Sequence, residues 1–522
     1  MGGDEPTWLS LVPPLAAIAS ALILRRVVLS LLAGVVMGAL MVHGLWSGPL
    51  RVVDTYIWSA LTDGGHQWIL AFALTLGGLM QVIGVSGASH GMARGITRYA
   101  VDRKRGQLTA WFMGLIFFFD DYANTLFVGS SMAPVFDRLK VSREKLAFIV
   151  DATAAPVASL APISSWIAVE IGYIADQCQR IGLETDAYGL FLQTVPSRFY
   201  PVLMLAFGLC VALTGRDLGP MLSAERERLT HQPTLRPSQA PPPASGSHWL
   251  MAALPLLTVL VIVFLGLFLT GRAGALEAGE ALSFSSIAGN ADSSRSMVYA
   301  ASAGGVMAVL LAARRKDLGL VGALRAWLKG AGAMLPVVMV LTLAWSLGAL
   351  CDDLQTARYL VSLLGGGFVP GLLPAAVFLV SAVVSFATGT SWGTMGILFP
   401  LAVPLAHQLV PGDQLLVLGT VSSILAGSVF GDHCSPISDT TIMSAMASGC
   451  DQIGHVRTQL PYALIVGAVS VAVGSIPVGL GLWSPWVALL LGTGVLWVVL
   501  RFAGKTLEAV PPAAAKPPTT SS

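Results

Sequence analysis

Gly431-Asp432-His433-Cys434-Ser435-Pro436-Ile437-Ser438-Asp439-Thr440 interrupts an apolar stretch that runs from 414 to 449. Proline removes a backbone donor and disrupts a helix interior. An ionised carboxylate at the centre of a membrane helix costs roughly 2.5–3.5 kcal/mol even on the lenient insertion scale. The stretch therefore reads as a broken helix whose opened backbone and hydroxyls face something other than lipid. A weaker echo, Ala161-Pro162-Ile163-Ser164-Ser165, lies inside a second such stretch at 144–176. Each broken helix follows an apolar run with Gly, Ser, Thr or Asp at its middle, at 107–139 and 370–410. These two runs read as hairpins that enter and leave a membrane on the same side.

Composition agrees. The 522 residues are 55% hydrophobic and 11% charged, with mean hydropathy +0.74, against about 25% charged for soluble domains. A soluble domain, a disordered chain and a nucleic-acid binder are excluded, and a net charge of +2 offers no basic field. The five scattered cysteines have no CxxC spacing and suggest neither disulfides nor zinc. Apolar runs long enough for a crossing fall at 8–24, 27–46, 67–85, 190–214, 249–271, 297–313, 332–350, 460–482 and 485–503.

Basic residues orient these spans. With both hairpins re-entrant, 24 of the 30 Lys and Arg residues gather on one face. Making the first hairpin a full crossing would move Arg138, Lys140, Arg143 and Lys145 across and invert every later loop. The re-entrant reading predicts an all-α polytopic membrane protein with about 11 crossings plus 2 hairpins. The N-terminus is expected outside and the C-terminus in the cytoplasm. Residues 1–214 and 249–482 then repeat one order from opposite sides: three spans, a hairpin, a broken helix and a span. Two inverted-topology repeats are a secondary-transporter architecture, with the substrate site near the midplane where discontinuous helices meet. Residues 215–248 read as a solvated cytoplasmic linker. Residues 483–522 read as an extra C-terminal span followed by a disordered tail.

Six acids fall inside the apolar stretches: Asp120, Asp121, Asp151, Glu170, Asp432 and Asp439. One intramembrane cation, Arg198, faces them, so the surplus negative charge suits a cation or proton pathway. Asp120-Asp121-Tyr122-Ala123-Asn124-Thr125 occupies the first hairpin tip. Thr388-Gly389-Thr390-Ser391-Trp392-Gly393-Thr394, with no carboxylate, occupies the second. Plainer roles are also open. Asp120 and Asp121 could cap a helix, Asp151 could pair with Arg198, Glu170 could be solvated near the outer surface, and His433 could be an interior histidine.

At Phe118–Thr125, Ser142–Ala147, Asp151–Ser159 and Gly431–Thr440 the sequence resembles the NhaC-type Na⁺/H⁺ antiporter family, over about 8–505. It departs at Gly129–Pro134, which lacks an Asn-Thr and an Arg, and at Gln452 and Gly454, which replace acidic or His residues. The resemblance implies inverted repeats, re-entrant hairpins and frequent homodimers. It also implies Na⁺/H⁺ exchange, with organic-acid exchange in at least one subgroup.

The expected function is a Na⁺/H⁺ antiporter of a prokaryotic cytoplasmic membrane, with no enzyme activity and no cofactor. Asp120, Asp121, Asp151, Asp432 and Asp439 are the expected Na⁺ and proton ligands. Asn124, Thr153, Ser164, Thr390, Ser391 and Ser438 would supply neutral oxygens. The alternative is a Na⁺- or H⁺-coupled carrier of a small organic acid or amino acid, in which His433 and Arg198 could meet the solute.

Overall fold

A computed structural model describes residues 7–507 apart from 25, 88–96, 184, 231–248, 278, 280–281, 284–286, 288–289, 316 and 365–366. Among the described residues the chain is helical but for one two-residue strand pair. Among the described residues nine helices are long and apolar enough to cross a membrane, and the bent pair Ala187–Ser197 and Phe199–Thr214, which meet at 50°, makes a tenth if it is one span. Trp8–Leu24 is a shorter apolar helix.

The two interrupted stretches fold as helical hairpins followed by broken helices. The first hairpin comprises Arg103–Ile116 and Asp121–Arg138, of 14 and 18 residues. At 1.5 Å per residue these legs are roughly 21 and 27 Å long, less than the ~30 Å hydrocarbon thickness. The second comprises Leu373–Thr388 and Ser391–Leu409. In both, a side chain at the tip caps the returning leg. Asp120 accepts from the Ala123 N–H at 2.7 Å, and Thr390 accepts from the Gly393 N–H at 3.5 Å. These caps satisfy helix-start donors that would otherwise be orphaned in the interior.

The broken helices pack their breaks against those tips. Arg143–Thr153, Ala155–Leu160 and Ile167–Arg180 are one interrupted path, and Gln414–Cys434 with Asp439–Ser448 is the other. The Ser165 N–H donates to the Phe119 carbonyl (2.9 Å), and the Ser435 hydroxyl donates to the Phe386 carbonyl (2.7 Å). Gly389 turns the second tip at φ +68°, and a Cβ there would lie 2.9 Å from the Ile437 carbonyl oxygen. Only glycine meets both demands without strain.

The expected solvated linker is partly a docked element. Gly219–Thr230 is a helix whose Glu225 is buried. That carboxylate accepts from the Ser142 N–H and Oγ at 2.8 and 2.6 Å and pairs with Arg103. It neutralises a guanidinium and satisfies the backbone where Arg143–Thr153 begins, which is why the segment folds back. Asp217 pairs with the buried Lys145 and accepts from the Tyr462 hydroxyl at 2.7 Å. Arg216 and Asp217 also form an antiparallel pair with Lys505 and Thr506. Linker residues 231–248 and tail residues 508–522 lie outside the described residues.

Candidate functional site

The two hairpin tips and two helix breaks meet around a small chamber of about 50 Å³. Asp121 and Tyr122 come from the first tip, and Gly389, Thr390, Ser391 and Trp392 from the second. Trp166 lies at the first break, and Asp432, Asp439 and Thr440 flank the second. No Lys or Arg lines it among the described residues. The Asp432 Oδ2 accepts from the Ser391 hydroxyl at 3.0 Å, while its buried Oδ1 has no hydrogen-bond donor among the described residues. Asp121 is buried and accepts from the Tyr122 N–H at 3.0 Å. Trp166 and Trp392 meet edge to face, ring centroids 5.9 Å apart, and neither indole N–H has an acceptor among the described residues. Buried polar groups usually find partners, so unused acceptors and donors around one cavity mark a place for a ligand or water.

Tyr122, Thr390, Trp392 and Asp439 also line a vestibule of about 1280 Å³. Its wall is mostly apolar, with Asp120, Gln81 and Arg26 among the polar exceptions. Asp439 is exposed there, so one carboxylate belongs to both spaces. Of the five expected aspartate ligands, Asp121, Asp432 and Asp439 surround the chamber, while Asp120 caps its helix beside the vestibule.

Asp151 is elsewhere. It lines neither cavity, and its Oδ2 accepts from Gln459 Nε2 (2.7 Å) and the Thr441 hydroxyl (3.2 Å), with His455 Nε2 at 3.2 Å. His433 Nε2 lies 3.9 Å away, and His433 Nδ1 is hydrogen-bonded to the Tyr200 hydroxyl at 2.6 Å. Gln459 also donates to the His433 carbonyl at 2.6 Å. One amide thus ties the first broken helix to the second, next to Asp432. His455, Gln459, Thr441 and Tyr200 were not singled out in the sequence. His455 and Gln459 share a helix face at i, i+4, but nothing local links them to a residue about 300 positions earlier.

Other expected oxygens turn inward on the scaffold. The Asn124 amide donates to the carbonyls of Gly114 (2.7 Å) and Thr153 (2.9 Å), stapling the first hairpin to its broken helix. The Thr153 hydroxyl donates to Ile149, and that of Ser164 to Ala158. Ser438 sits 3.0 Å from the Thr440 hydroxyl at the chamber's edge. Arg198 does not pair with Asp151, and Glu170 is not solvated. The two are fully buried and pair with each other at 2.7 Å. Arg198 also donates to Ser159 and Thr194 and covers the Phe191 ring at 4.5 Å. Each charge needs the other once both leave water.

The family model described as "Na+/H+ antiporter family" matches residues 157–480. A Haemophilus influenzae protein of no stated function is 32% identical over 91% of each chain. A Bacillus subtilis malate-2H(+)/Na(+)-lactate antiporter is 38% identical over a shorter region, 17% of this chain and 19% of its own. The Alcanivorax borkumensis YdaH transporter shares the fold, with TM-score 0.57 at 16% identity, over 88% of this chain and 90% of that one. The chain belongs to the Na⁺/H⁺ antiporter family, a family of multi-pass secondary transporters.

Proposed function

We propose that this member of the antiporter family exchanges Na⁺ for H⁺ at the chamber between the hairpin tips. The observation that carries the reading is the crowding of Asp121, Asp432 and Asp439 around a space of about 50 Å³ with no basic residue among the described residues of its wall. One water occupies about 30 Å³ in the liquid, so that volume suits a partly dehydrated ion. Carboxylates and the hydroxyls of Ser391, Thr390 and Thr440 are oxygen ligands suited to a hard cation. A carboxylate oxygen that binds Na⁺ can carry a proton in its place when the cation leaves. Na⁺ and H⁺ then compete for one place, and alternate exposure converts competition into exchange.

In this reading the hairpins are re-entrant, the halves 1–214 and 249–482 are inverted repeats, and the vestibule opens to the cytoplasm of a prokaryotic cell. Asp120 guides ions along the vestibule. Asp151 is a positioning residue that holds the Asp432 helix through Gln459, rather than a first ligand. The test is proton flux in everted vesicles: Asp121→Asn and Asp432→Asn should each abolish Na⁺-driven proton movement. Unchanged flux in both variants overturns the assignment.

A second reading has its own support. The vestibule of about 1280 Å³ exceeds what a bare ion needs, and the Trp392 indole N–H at its inner end, which has no acceptor among the described residues, could donate to a carboxylate. The matched B. subtilis relative is named for malate and lactate. On that reading the chamber holds the coupling cation and the vestibule holds a small organic acid. Stabilisation by malate or lactate only when Na⁺ is present would select it over simple exchange.

A further inference from the structure

Most of the vestibule wall is apolar, with Met80, Phe127, Met334 and Val337 among its lining residues, and its charged groups stand apart from one another. Arg26 lines it, and no other Lys or Arg does so among the described residues. Its acids are Asp120 and Asp439. Asp120 is engaged as a helix cap. Arg26 and Asp439 are both exposed, and neither has an ion-pair partner among the described residues. One cavity thus holds a guanidinium and a carboxylate that do not neutralise each other.

The fold holds Arg26 at the second hairpin tip. The chain turns back between the helices Val12–Leu24 and Val27–Arg51, and Arg26 is the residue that opens the second of them. Val27 packs so closely on Gly393 that a Cβ on that glycine would collide with it. Gly393 follows Trp392, so Arg26 and Trp392 flank one contact between a helix start and the tip. The Trp392 indole N–H has no acceptor among the described residues. A guanidinium and an indole N–H are donors only, and together they suit a carboxylate. Asp439, which like Trp392 lines both the vestibule and the chamber, offers acceptors only and suits an ammonium group.

Water can hydrate Arg26 and Asp439 while the vestibule is open. A solute that displaces this water has to supply an opposite charge at each place, because a charge left unpaired beside apolar groups is costly. A plain organic acid satisfies Arg26 and leaves Asp439 uncompensated, and a plain amine does the reverse. The apolar remainder of the wall suits an aliphatic body.

We infer that the vestibule binds a neutral amino acid with an apolar side chain, its carboxylate on Arg26 and the Trp392 indole and its ammonium group on Asp439. The inference rests on the second reading above, in which the vestibule holds a solute, and it narrows the class of that solute from organic acids to zwitterions.

The test reads binding rather than flux. Full-length protein in lipid nanodiscs with Na⁺ present is titrated calorimetrically with L-leucine, with 4-methylpentanoate, which lacks the ammonium group, and with 3-methylbutylamine, which lacks the carboxylate. Leucine should bind at least roughly tenfold more tightly than either, since each deletion removes a charge-assisted hydrogen bond and strands its partner. Arg26→Gln should weaken leucine and the acid about tenfold and leave the amine unchanged. Asp439→Asn should weaken leucine and the amine and spare the acid. Acid binding as tight as leucine overturns the zwitterion assignment and leaves the solute reading standing. Amine binding as tight as leucine, or leucine affinity unchanged in both variants, overturns the inference as well. No binding of any probe removes the solute reading together with it, while Na⁺-driven proton flux is judged separately. If a variant does not fold, the comparison of the three probes on the unaltered protein decides alone.

Discussion

Asp432 and Asp151 are both buried aspartates on broken helices, yet their surroundings differ. Asp432 faces a cavity, holds one hydroxyl and keeps one oxygen without a donor among the described residues. Asp151 lines neither the chamber nor the vestibule, and its Oδ2 is held by Gln459, Thr441 and His455 from the far half of the chain, while its buried Oδ1 also has no donor among the described residues. An aspartate whose partners are mostly supplied by protein serves the fold. One left short of partners beside a cavity is available to something that comes and goes. On the proposed reading, the same residue type divides into bracing and transport by what surrounds it.

That division can be broken by experiment. Asp121→Asn and Asp432→Asn should each reduce Na⁺-driven proton flux at least roughly 100-fold, since even outer-shell partners of bound metals are worth 10–100-fold. Their thermal melting in detergent should not fall, because neutralising a crowded carboxylate relieves repulsion. Gln459→Leu should behave in the opposite way. It strands the Asp151 carboxylate and the His433 carbonyl and should cost about 1–3 kcal/mol of stability, read by melting, with the Na⁺ half-saturation of the surviving protein unchanged. A Gln459→Leu protein that melts normally but loses Na⁺ dependence would move Asp151 into the ion path. Gly389→Ala forces a left-handed residue and a contact with Ile437, so about 1–2 kcal/mol of destabilisation is expected, with flux falling alongside. Ser391→Ala removes one hydroxyl from Asp432 and should raise the Na⁺ half-saturation several-fold, for a loss of about 1 kcal/mol, with melting nearly unchanged.

The sequence showed the helical, membrane-spanning class through its apolar runs, and the helix interruptions through Pro436, Pro162 and the Gly-Thr-Ser tip. Those are local signals: one proline or one capping residue acts within a turn of its position. The acids of the chamber were legible for the same reason, since a carboxylate in an apolar stretch is costly wherever it folds. What could not be read was who meets whom. Arg198 lies 28 residues from Glu170 and 47 from Asp151, and the choice between them depends on how Ile167–Arg180 packs beside Ala187–Thr194, the helix that leads into Arg198. Gln459 and His455 carry no signature until a helix from the far half is laid against Asp151. Helix Gly219–Thr230 was hidden by its polarity. Its Glu-Arg-Glu-Arg run resembles any solvated connector, and only the buried base of the first hairpin gives Glu225 a reason to dock.

The two-residue ladder between Arg216-Asp217 and Lys505-Thr506 has a practical corollary. Arg216 also donates to the carbonyls of Arg501 and Gly504, so the last described turn of the chain is buckled to the joint between the halves. The neighbouring Asp217 is the counter-ion of buried Lys145. Cutting the polypeptide just after Ala503 for crystallisation, or fusing a reporter there, would unfasten this buckle and loosen the footing of the first broken helix. Fusions placed beyond Leu507 would leave it fastened.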